Sequence, residues 1–256
     1  MKLSQVALQL YTLRDFIKTP EEIATTLRKV REIGYESVQV SGMGPISEEE
    51  LVAICQGEGL SICATHESGD KILNEPQAVV DRLGKLGCAY TAYPYPAGVD
   101  FSDPAHVEKL IKGLNASGEV LRQAGQTLLY HNHAHEFAWV NGKTILQHIY
   151  DETDPQNLAA ELDTYWVQYG GGNPVDWCRK VAGRSPVLHC KDYAILSPDK
   201  PVFAEVGSGN LDWAGILSAA EAGGCQWFVV EQDSCQGDPF DSVRKSFEYL
   251  KNNFVS

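Results

Sequence analysis

The stretch TLLYHNHAHEF, residues 127–137, decides the fold class that we predict. Apolar and aromatic residues run into three imidazoles and a carboxylate, which are His131, His133, His135 and Glu136. Such a run is typical of a buried β-strand whose C-terminal tip carries polar ligands. The strand therefore predicts a site at its carboxyl end.

Three later segments have the same form. AAELD ends in Asp163, PVLHCKD contains His189, and WFVVEQD contains Glu231. Any one of them alone is compatible with an unrelated polar strand end. Together with residues 127–137, and in this order, they predict a single shared metal site.

Strand and helix patterns alternate eight times along the chain. The predicted strands are 5–11, 36–41, 60–66, 88–95, 127–133, 158–163, 186–192 and 226–232. They are apolar runs, which is the pattern of parallel strands covered by helices on the outside. Eight units in 256 residues, with no Pro/Ser-rich linker, predict one domain over 1–256, a single (β/α)8 TIM barrel with eight parallel strands. No GxGxxG follows the first strand, which disfavours dinucleotide binding.

Composition limits the partners. A formal net charge of −13 argues against nucleic acid, which needs clustered Lys and Arg, although a small anionic substrate needs only one or two local cations. Seven cysteines without a CxxC pair are typical of reduced thiols in a cytoplasmic protein. No segment approaches 18 consecutive apolar residues, and the first residues lack the apolar core of a signal peptide, so we expect no membrane association.

The predicted metal ligands are rich in oxygen. They are Glu136, Asp163, His189 and Glu231. One imidazole with three carboxylates suits a divalent cation such as Mn, Mg, Co or Zn, and makes a Cys-type structural zinc site unsuitable. A metal there would act as a Lewis acid on adjacent substrate oxygens. Carboxylates on two sides of a cavity could also move a proton to and from the carbon beside a carbonyl.

Two further side chains are candidate acid–base groups. His66 ends the third predicted strand, where it is either a catalytic partner or a structural histidine. Lys191 follows His189 by two residues and shares its face if the strand continues, so it could hold an enolate oxygen or act as a base. The alternative for Lys191 is a salt bridge to Asp192 or Glu161.

Four other residues are candidates for substrate contact, each with a packing role as the alternative: His133, Trp166, Tyr93 and Glu205. His133 either faces substrate or packs behind the ligands. Trp166 and Tyr93 could form apolar walls against a sugar ring. Glu205, in EVGSG, is expected chiefly to organise its loop.

The sequence resembles a known group of proteins, the xylose-isomerase-like barrels. This group includes sugar phosphate isomerases and epimerases, inosose dehydratases and apurinic endonucleases. The resemblance is carried in order by YHNHAHEF (130–137), ELDTYW (161–166), HCKD (189–192), EVGSGNLDW (205–213) and VVEQD (229–233). It implies a metal held by Asp163, His189, Glu231 and a carboxylate from strand five. Many relatives have that carboxylate where this chain has His131. We expect Glu136 to fold back as the ligand, with His131 as the alternative ligand or a substrate contact.

The resemblance implies a divalent-metal-dependent isomerase or epimerase of a keto-sugar or polyol. Glu136 and Glu231 would be the bases, assisted by His66 or Lys191. The alternative is a lyase acting on a keto-inositol or a 3-keto-glycoside. A non-catalytic sugar-binding module is disfavoured by the retained ligands. Repair of abasic DNA is disfavoured by Trp166, which stands where those relatives have a histidine. Substrate, metal identity and oligomeric state, a homo-oligomer included, stay open.

Overall fold

The chain forms one closed barrel of eight parallel strands alternating with helices. In the computed structural model, residues 1–197 and 199–255 are described. The barrel strands are β1 Val6–Gln9, β2 Ser37–Val40, β3 Ser61–His66, β4 Tyr90–Tyr93, β5 Thr127–His131, β8 Leu158–Asp163, β9 Val187–Cys190 and β12 Trp227–Val230. Two antiparallel hairpins lie outside the barrel: β6 Trp139–Val140 with β7 Lys143–Thr144, and β10 Asp192–Ser197 with β11 Lys200–Ala204. The predicted TIM barrel is confirmed.

Helices connect the strands. They are α1 Pro20–Ile33, α2 Glu48–Gly57, α3 Gly69–Asn74, α4 Pro76–Leu86, α5 Pro104–Gln123, α6 Ile145–Asp151, α7 Thr164–Tyr169, α8 Pro174–Lys180, α9 Trp213–Ala222 and α10 Pro239–Phe254. In α1, the Thr19 side chain accepts from the Glu22 N–H, and Gly34 ends the helix at φ 124°. Within the described ranges, no helix combines the length and hydropathy needed to cross a membrane.

Alternation along each strand divides the interior into two layers. Ala159 belongs to a small cluster inside the barrel, whereas Leu158, Ala160 and Leu162 pack in the larger cluster between strands and helices. Because side chains alternate with a period of two, Glu161 and Asp163 point inward above Ala159. The same rule sends His131, His189 and Glu231 inward above Leu129, Val187 and Val229. The barrel mouth is therefore polar by strand geometry.

Most strands are shorter than predicted, and one helix is divided. The helical pattern of residues 72–87, ILNEPQAVVDRLGKLG, predicts one helix, but the segment forms α3 and α4, because Pro76 has no N–H and restricts Glu75, whose φ is −135° and ψ is 48°. The first strand ends at Gln9, where a 3-10 helix, Leu10–Phe16, begins. Residues 186–192 divide as well, because Asp192 starts the β10–β11 hairpin.

Substitution of two helical glycines by alanine should change stability in opposite directions. Gly118 lies where α5 crosses the start of β8, and a Cβ there would lie 1.9 Å from the Asn157 carbonyl oxygen. In α4, a Cβ at Gly84 would meet nothing within 4 Å. We expect Gly84→Ala to raise the free energy of unfolding by about 0.5–1 kcal/mol, because alanine is the better helix former. Gly118→Ala should lower it by about 1–3 kcal/mol through overpacking. Urea unfolding of both variants measures these changes in the free energy of unfolding. Changes of the same sign in the two variants would contradict the packing described.

Candidate active site and metal centre

The carboxyl ends of the barrel strands surround a cavity of about 610 Å³. His66 and His131 line one part of it, and Lys191, Glu231 and Asp233 line another. Asp163 and His189 are fully buried just beneath. The register pairs His131 with Glu161 and Asp163 with His189 across neighbouring strands, so these side chains form adjoining rows. The arrangement brings acids, bases and a cation to a single cavity.

Glu161 is the centre of a buried polar network. Its Oε2 lies 2.6 Å from His66 Nε2, 3.1 Å from His131 Nδ1 and 3.3 Å from His189 Nε2. Its Oε1 accepts a hydrogen bond of 2.7 Å from the Gln39 amide. Every oxygen of this carboxylate is therefore engaged by the protein itself.

The charges in this network follow from burial and neighbours. Burial opposes ionisation of Glu161, but His189 and His66 outweigh it and hold the pKa of Glu161 well below its usual value. Burial likewise opposes charging of His189, yet Glu161 and Glu231 raise the pKa of His189 to about 10. Burial lowers the pKa of His131 well below its usual value. His189 is therefore an imidazolium whose two N–H groups face Glu231 Oε2 at 2.9 Å and Gln39 Oε1 at 2.7 Å.

Lys191 brings a buried ammonium to the cavity. Its side chain is 1% exposed, and Nζ lies 3.1 Å from Asp163 Oδ2, 3.0 Å from Glu231 Oε2 and 3.0 Å from Asp233 Oδ2. Burial would lower the pKa of Lys191, but the three carboxylates outweigh it and raise that pKa. Lys191 is therefore charged and positioned by three acids, and neither Asp192 nor Glu161 is its partner.

Four of the inward side chains form a candidate metal centre. His131, Asp163, His189 and Glu231 each offer a donor atom, and these atoms all lie within 4.8 Å of one another. Asp163 Oδ2 is buried and accepts no hydrogen bond, although Lys191 Nζ is near it. A buried carboxylate oxygen that faces two imidazoles and a second carboxylate, with the Lys191 ammonium as its ion-pair partner, fits a divalent transition metal. A second group, His66, His131, Glu161 and His189, is equally compact, but Glu161 is already saturated there.

The glycine loop after β11 holds an internal anion. The backbone N–H groups of Gly207 and Gly209 donate to Asp192 Oδ2 over 2.8 and 3.0 Å. The indole N–H of Trp213 donates to the same oxygen over 2.7 Å. A Cβ at Gly209 would lie 2.3 Å from Asp192 Oδ1. These amides, which could have bound a phosphate, are occupied by a carboxylate of the chain.

Comparison with known proteins identifies the fold family. The sequence model described as "Xylose isomerase-like TIM barrel" matches residues 27–253. The chain belongs to this family.

Proteins similar in sequence to this family member carry enzyme names. An inosose dehydratase of Geobacillus thermodenitrificans is 27% identical over 159 residues, which are 56% of this chain and 53% of the relative. An inosose dehydratase of Lacticaseibacillus casei is 25% identical over 172 residues, 59% of this chain and 57% of the relative. The matches thus span little more than half the length of these relatives.

Solved structures agree on the fold. A sugar phosphate isomerase/epimerase from Parabacteroides distasonis has a TM-score of 0.83 at 22% identity, covering 99% of this chain and 96% of that one. A second sugar phosphate isomerase/epimerase from the same organism has a TM-score of 0.83 at 24% identity, covering 98% of this chain and 99% of that one. At these identities the likeness establishes the barrel alone.

Within this family member, most of the predicted residues meet at the cavity. Those that line it are His66, His131, His133, Trp166, Lys191 and Glu231. Asp163 and His189 lie directly below, in contact with Lys191 and Glu231 respectively. Burial lowers the pKa of His133 to about 4, and its Nδ1 has no hydrogen-bond partner among the described residues. Functional roles for these residues stay predictions.

Glu136 is the main correction. Instead of folding back onto Asp163, His189 and Glu231, it lies in a 3-10 helix, His135–Phe137, where it is fully buried. Its oxygens accept hydrogen bonds from the Tyr130 hydroxyl over 2.9 Å and from the His133 N–H over 2.8 Å. The strand ends at His131, so the alternation that would have directed Glu136 inward has already stopped. His131, the alternative, stands with the other three groups.

Two predicted substrate contacts lie away from the cavity lining. Tyr93 is 2% exposed and points outward from β4, where its ring stacks on Tyr130 at 5.8 Å. Glu205 accepts a hydrogen bond from the Ser242 hydroxyl over 3.0 Å and lies 3.6 Å from the Lys245 ammonium, so it ties its loop to α10. Strand alternation explains Tyr93, because Ala92 takes the inward place.

The structure also adds residues that sequence reasoning missed. The sequence pattern names Glu161 only as a possible partner of Lys191, yet Glu161 lies two residues before Asp163 and shares its face, a signal that the sequence contains. Asp233 follows Glu231 by the same spacing. Tyr95 lines the outer cavity wall beside His135, and nothing in the sequence distinguishes Tyr95 from an ordinary loop residue.

Proposed function

We propose that this chain is a divalent-metal-dependent isomerase or epimerase that removes and returns a proton beside the carbonyl of a keto-sugar or related polyol. One observation carries the proposal. Lys191, Glu231 and Asp233 on one side and His66 with His131 on the other face a single cavity of sugar-binding size. Charged and neutral acid–base groups on two walls are what abstraction and return of a carbon-bound proton need.

Each of these side chains has a separate role in the proton transfer. Glu231 takes the α-proton, and the electron pair of the broken C–H bond forms the C=C bond while the carbonyl oxygen gains negative charge. The Lys191 ammonium, buried among three carboxylates, faces that oxygen and stabilises the charge. His66 on the other wall is held in place, because its Nδ1 accepts from the Gln9 amide over 3.3 Å and its Nε2 faces Glu161, so the proton returned to the enolate is the one that Glu231 has taken. The His189 imidazolium and Lys191 keep the pKa of Glu231 low despite its burial, so Glu231 starts as a carboxylate.

His131, Asp163, His189 and Glu231 would hold the metal. When bound, a divalent cation supplies Lewis acidity toward adjacent substrate oxygens. Because His189 donates to Glu231 and Gln39 in the metal-free arrangement, metal binding has to displace its proton, and we expect the affinity to rise with pH.

A dehydratase is the second candidate, and the sequence matches to two inosose dehydratases favour it. It would begin with the same proton removal. The electron pair would then expel a hydroxyl group from the next carbon, and the proton that Glu231 has taken would complete the water. The two candidates differ only in the fate of the enolate.

An unphosphorylated substrate is supported by the loop after β11. The N–H groups of this loop donate to Asp192, so they do not form a phosphate-binding site. The other cation lining the cavity, Arg14, donates to the carbonyls of Tyr11 and Asp233. A neutral keto-sugar matches this distribution of donors. Seven free cysteines support a reducing, cytoplasmic compartment.

Solvent exchange tests the proposal. We expect the Mn²⁺-loaded protein, incubated in D₂O with a panel of keto-sugars and inososes, to place deuterium on the carbon beside the carbonyl of at least one compound. Retained mass apart from the deuterium indicates isomerisation or epimerisation, and loss of water indicates dehydration. Mass spectrometry and proton NMR give both readouts.

Two variants control the experiment. Glu231→Gln should lower the exchange rate by about 10²–10⁴-fold, because the positioned base is lost. Glu205→Gln removes a carboxylate that lies outside the cavity lining and should leave the rate unchanged. Absence of exchange with every compound, in protein shown to be folded and metal-loaded, would reject the proposed chemistry. Absence of both metal binding and thermal stabilisation by metal would favour a non-catalytic module.

A further inference from the structure

A second, aromatic groove adjoins the candidate active site. It has a volume of about 560 Å³ and shares Tyr95, Ala134 and His135 with the main cavity. We call it the annex, and its own side chains include Phe101, Trp139 and Val140. Each cavity separately has the size of a small-ligand pocket, so a single sugar ring does not need the annex.

The annex exposes aromatic rings that the fold does not use. Trp139 is 72% exposed and Tyr95 is 53% exposed. Scattered exposed aromatic residues are ordinary, but two of them line this one groove. Phe101, by contrast, is partly buried against the main core and so gives the groove a fixed floor.

The backbone that carries the exposed tryptophan is fixed on two sides. Trp139 pairs with Thr144 in the β6–β7 hairpin, whose turn residues Asn141 and Gly142 have φ of 50° and 82°. Such a two-residue turn fixes the hairpin geometry. The His148 ring lies 2.9 Å from the Val140 carbonyl oxygen and ties the hairpin to α6. The backbone position of Trp139 therefore does not have to be ordered when a ring binds.

Aromatic side chains in contact with one another connect the annex to the main cavity. The His133 ring, at the cavity wall, stacks on His135 with centroids 5.4 Å apart. His135 in turn lies 5.6 Å from Tyr95 and 5.4 Å from Phe101. A molecule that occupied both spaces would therefore contact His135, which lines each of them.

Charge limits what the annex can bind. Among the described residues, no Lys or Arg lines the annex, and its one acid, Asp100, accepts hydrogen bonds from the backbone and hydroxyl of Ser102. An anionic group would find neither a lysine nor an arginine there. The occupant is therefore not anionic.

From this geometry we propose that the substrate has two rings. The ring with the keto group lies in the main cavity, and a second ring without an anionic group, linked to it by a glycosidic bond, lies in the annex with an apolar face on Trp139 and Phe101. The proposal deepens the proposed function and rests on it. A sugar and an aryl group share the chemistry required, since aromatic residues stack on the C–H face of one and the π face of the other.

Binding and turnover test the annex separately. Probes for binding are methyl β-D-glucoside, phenyl β-D-glucoside and cellobiose, followed by calorimetry and tryptophan fluorescence. We expect phenyl glucoside or cellobiose to bind the parent about three- to tenfold more tightly than methyl glucoside, and Trp139→Ala to abolish that preference. The phenyl and cellobiose arms distinguish an aryl from a sugar occupant. Leu196→Ala, which removes a residue 65% exposed on the other hairpin, should change nothing.

Turnover of the corresponding 3-keto compounds gives the second readout. We expect Trp139→Ala to raise KM for the two-ring compounds about three- to tenfold and to leave kcat and the one-ring compound unchanged. Equal binding of one-ring and two-ring probes by the parent, or an equal loss for both in Trp139→Ala, would overturn the annex while leaving the proposed reaction intact. No turnover of any keto compound would reject the reaction instead, and the binding arm would still decide the annex. A Trp139-dependent dimer in gel filtration would show that a second copy covers the groove, and would overturn the proposal too.

Discussion

Glu161→Gln is expected to lower the free energy of unfolding by about 3–5 kcal/mol in metal-free protein. The substitution keeps the shape of the side chain but removes the only negative charge that three imidazoles share. The His189 imidazolium then keeps Glu231 alone as a buried carboxylate partner. Urea unfolding in the presence of a chelator measures the loss. In NMR titrations, the His189 ring should lose its proton at a lower pH than in the parent, where its pKa is raised to about 10.

The control for this variant is Glu119→Gln, which removes an exposed carboxylate on α5 and should change stability by less than about 0.5 kcal/mol. The double variant Glu161→Gln with His189→Gln adds a sharper test. This double variant leaves no unpaired imidazolium. We therefore expect its loss of unfolding free energy to be smaller than the sum of the losses in the two single variants. Strict additivity, or a loss below about 0.5 kcal/mol for Glu161→Gln, would contradict the charged network.

Lys191→Met is expected to lower kcat by about 10²–10³-fold, because the cation that faces the developing oxyanion is lost. The same change leaves Asp163, Glu231 and Asp233 without their shared ammonium. In chelator we therefore expect stability to fall by about 3–5 kcal/mol. Added Mn²⁺ should restore the melting temperature of Lys191→Met and raise it by more than in the parent, since the metal then has no internal competitor for these oxygens.

Lys245→Met is the matched control for Lys191→Met. Lys245 is 64% exposed and lies 3.6 Å from Glu205, so its removal should leave both kcat and stability nearly unchanged. Thermal melts with and without metal, beside steady-state kinetics, separate the two roles of Lys191. If Lys191→Met keeps full activity, the lysine does not serve the reaction. If Mn²⁺ stabilises it less than the parent, the lysine does not compete with metal.

Local sequence is sufficient for the barrel and for much of the candidate site. Apolar runs of strand length separated by capped helices identify the fold, because parallel strands buried on both faces have no alternating polar side. The ends of those runs supply Asp163, His189 and Glu231, which the structure brings together. The period of two along β8, applied backwards from Asp163, also supplies Glu161.

What local sequence does not supply depends on where strands stop. Alternation predicts direction only inside a strand, so it does not extend to Glu136, which follows the last residue of β5 by five places. Tyr93 shows the converse, since one place along β4 turns a side chain from the cavity to the helices. The β6–β7 hairpin does carry a signal, the Asn141–Gly142 pair, but its strands are only two residues long and produce no pattern of their own.

The carboxylate of Asp192 closes one loop to external anions. It accepts N–H donors from the loop 207–213 that would otherwise be free to bind an incoming anion. A phosphate group that approached this loop would have to displace a carboxylate of the chain itself, so we expect inorganic phosphate to bind there only weakly.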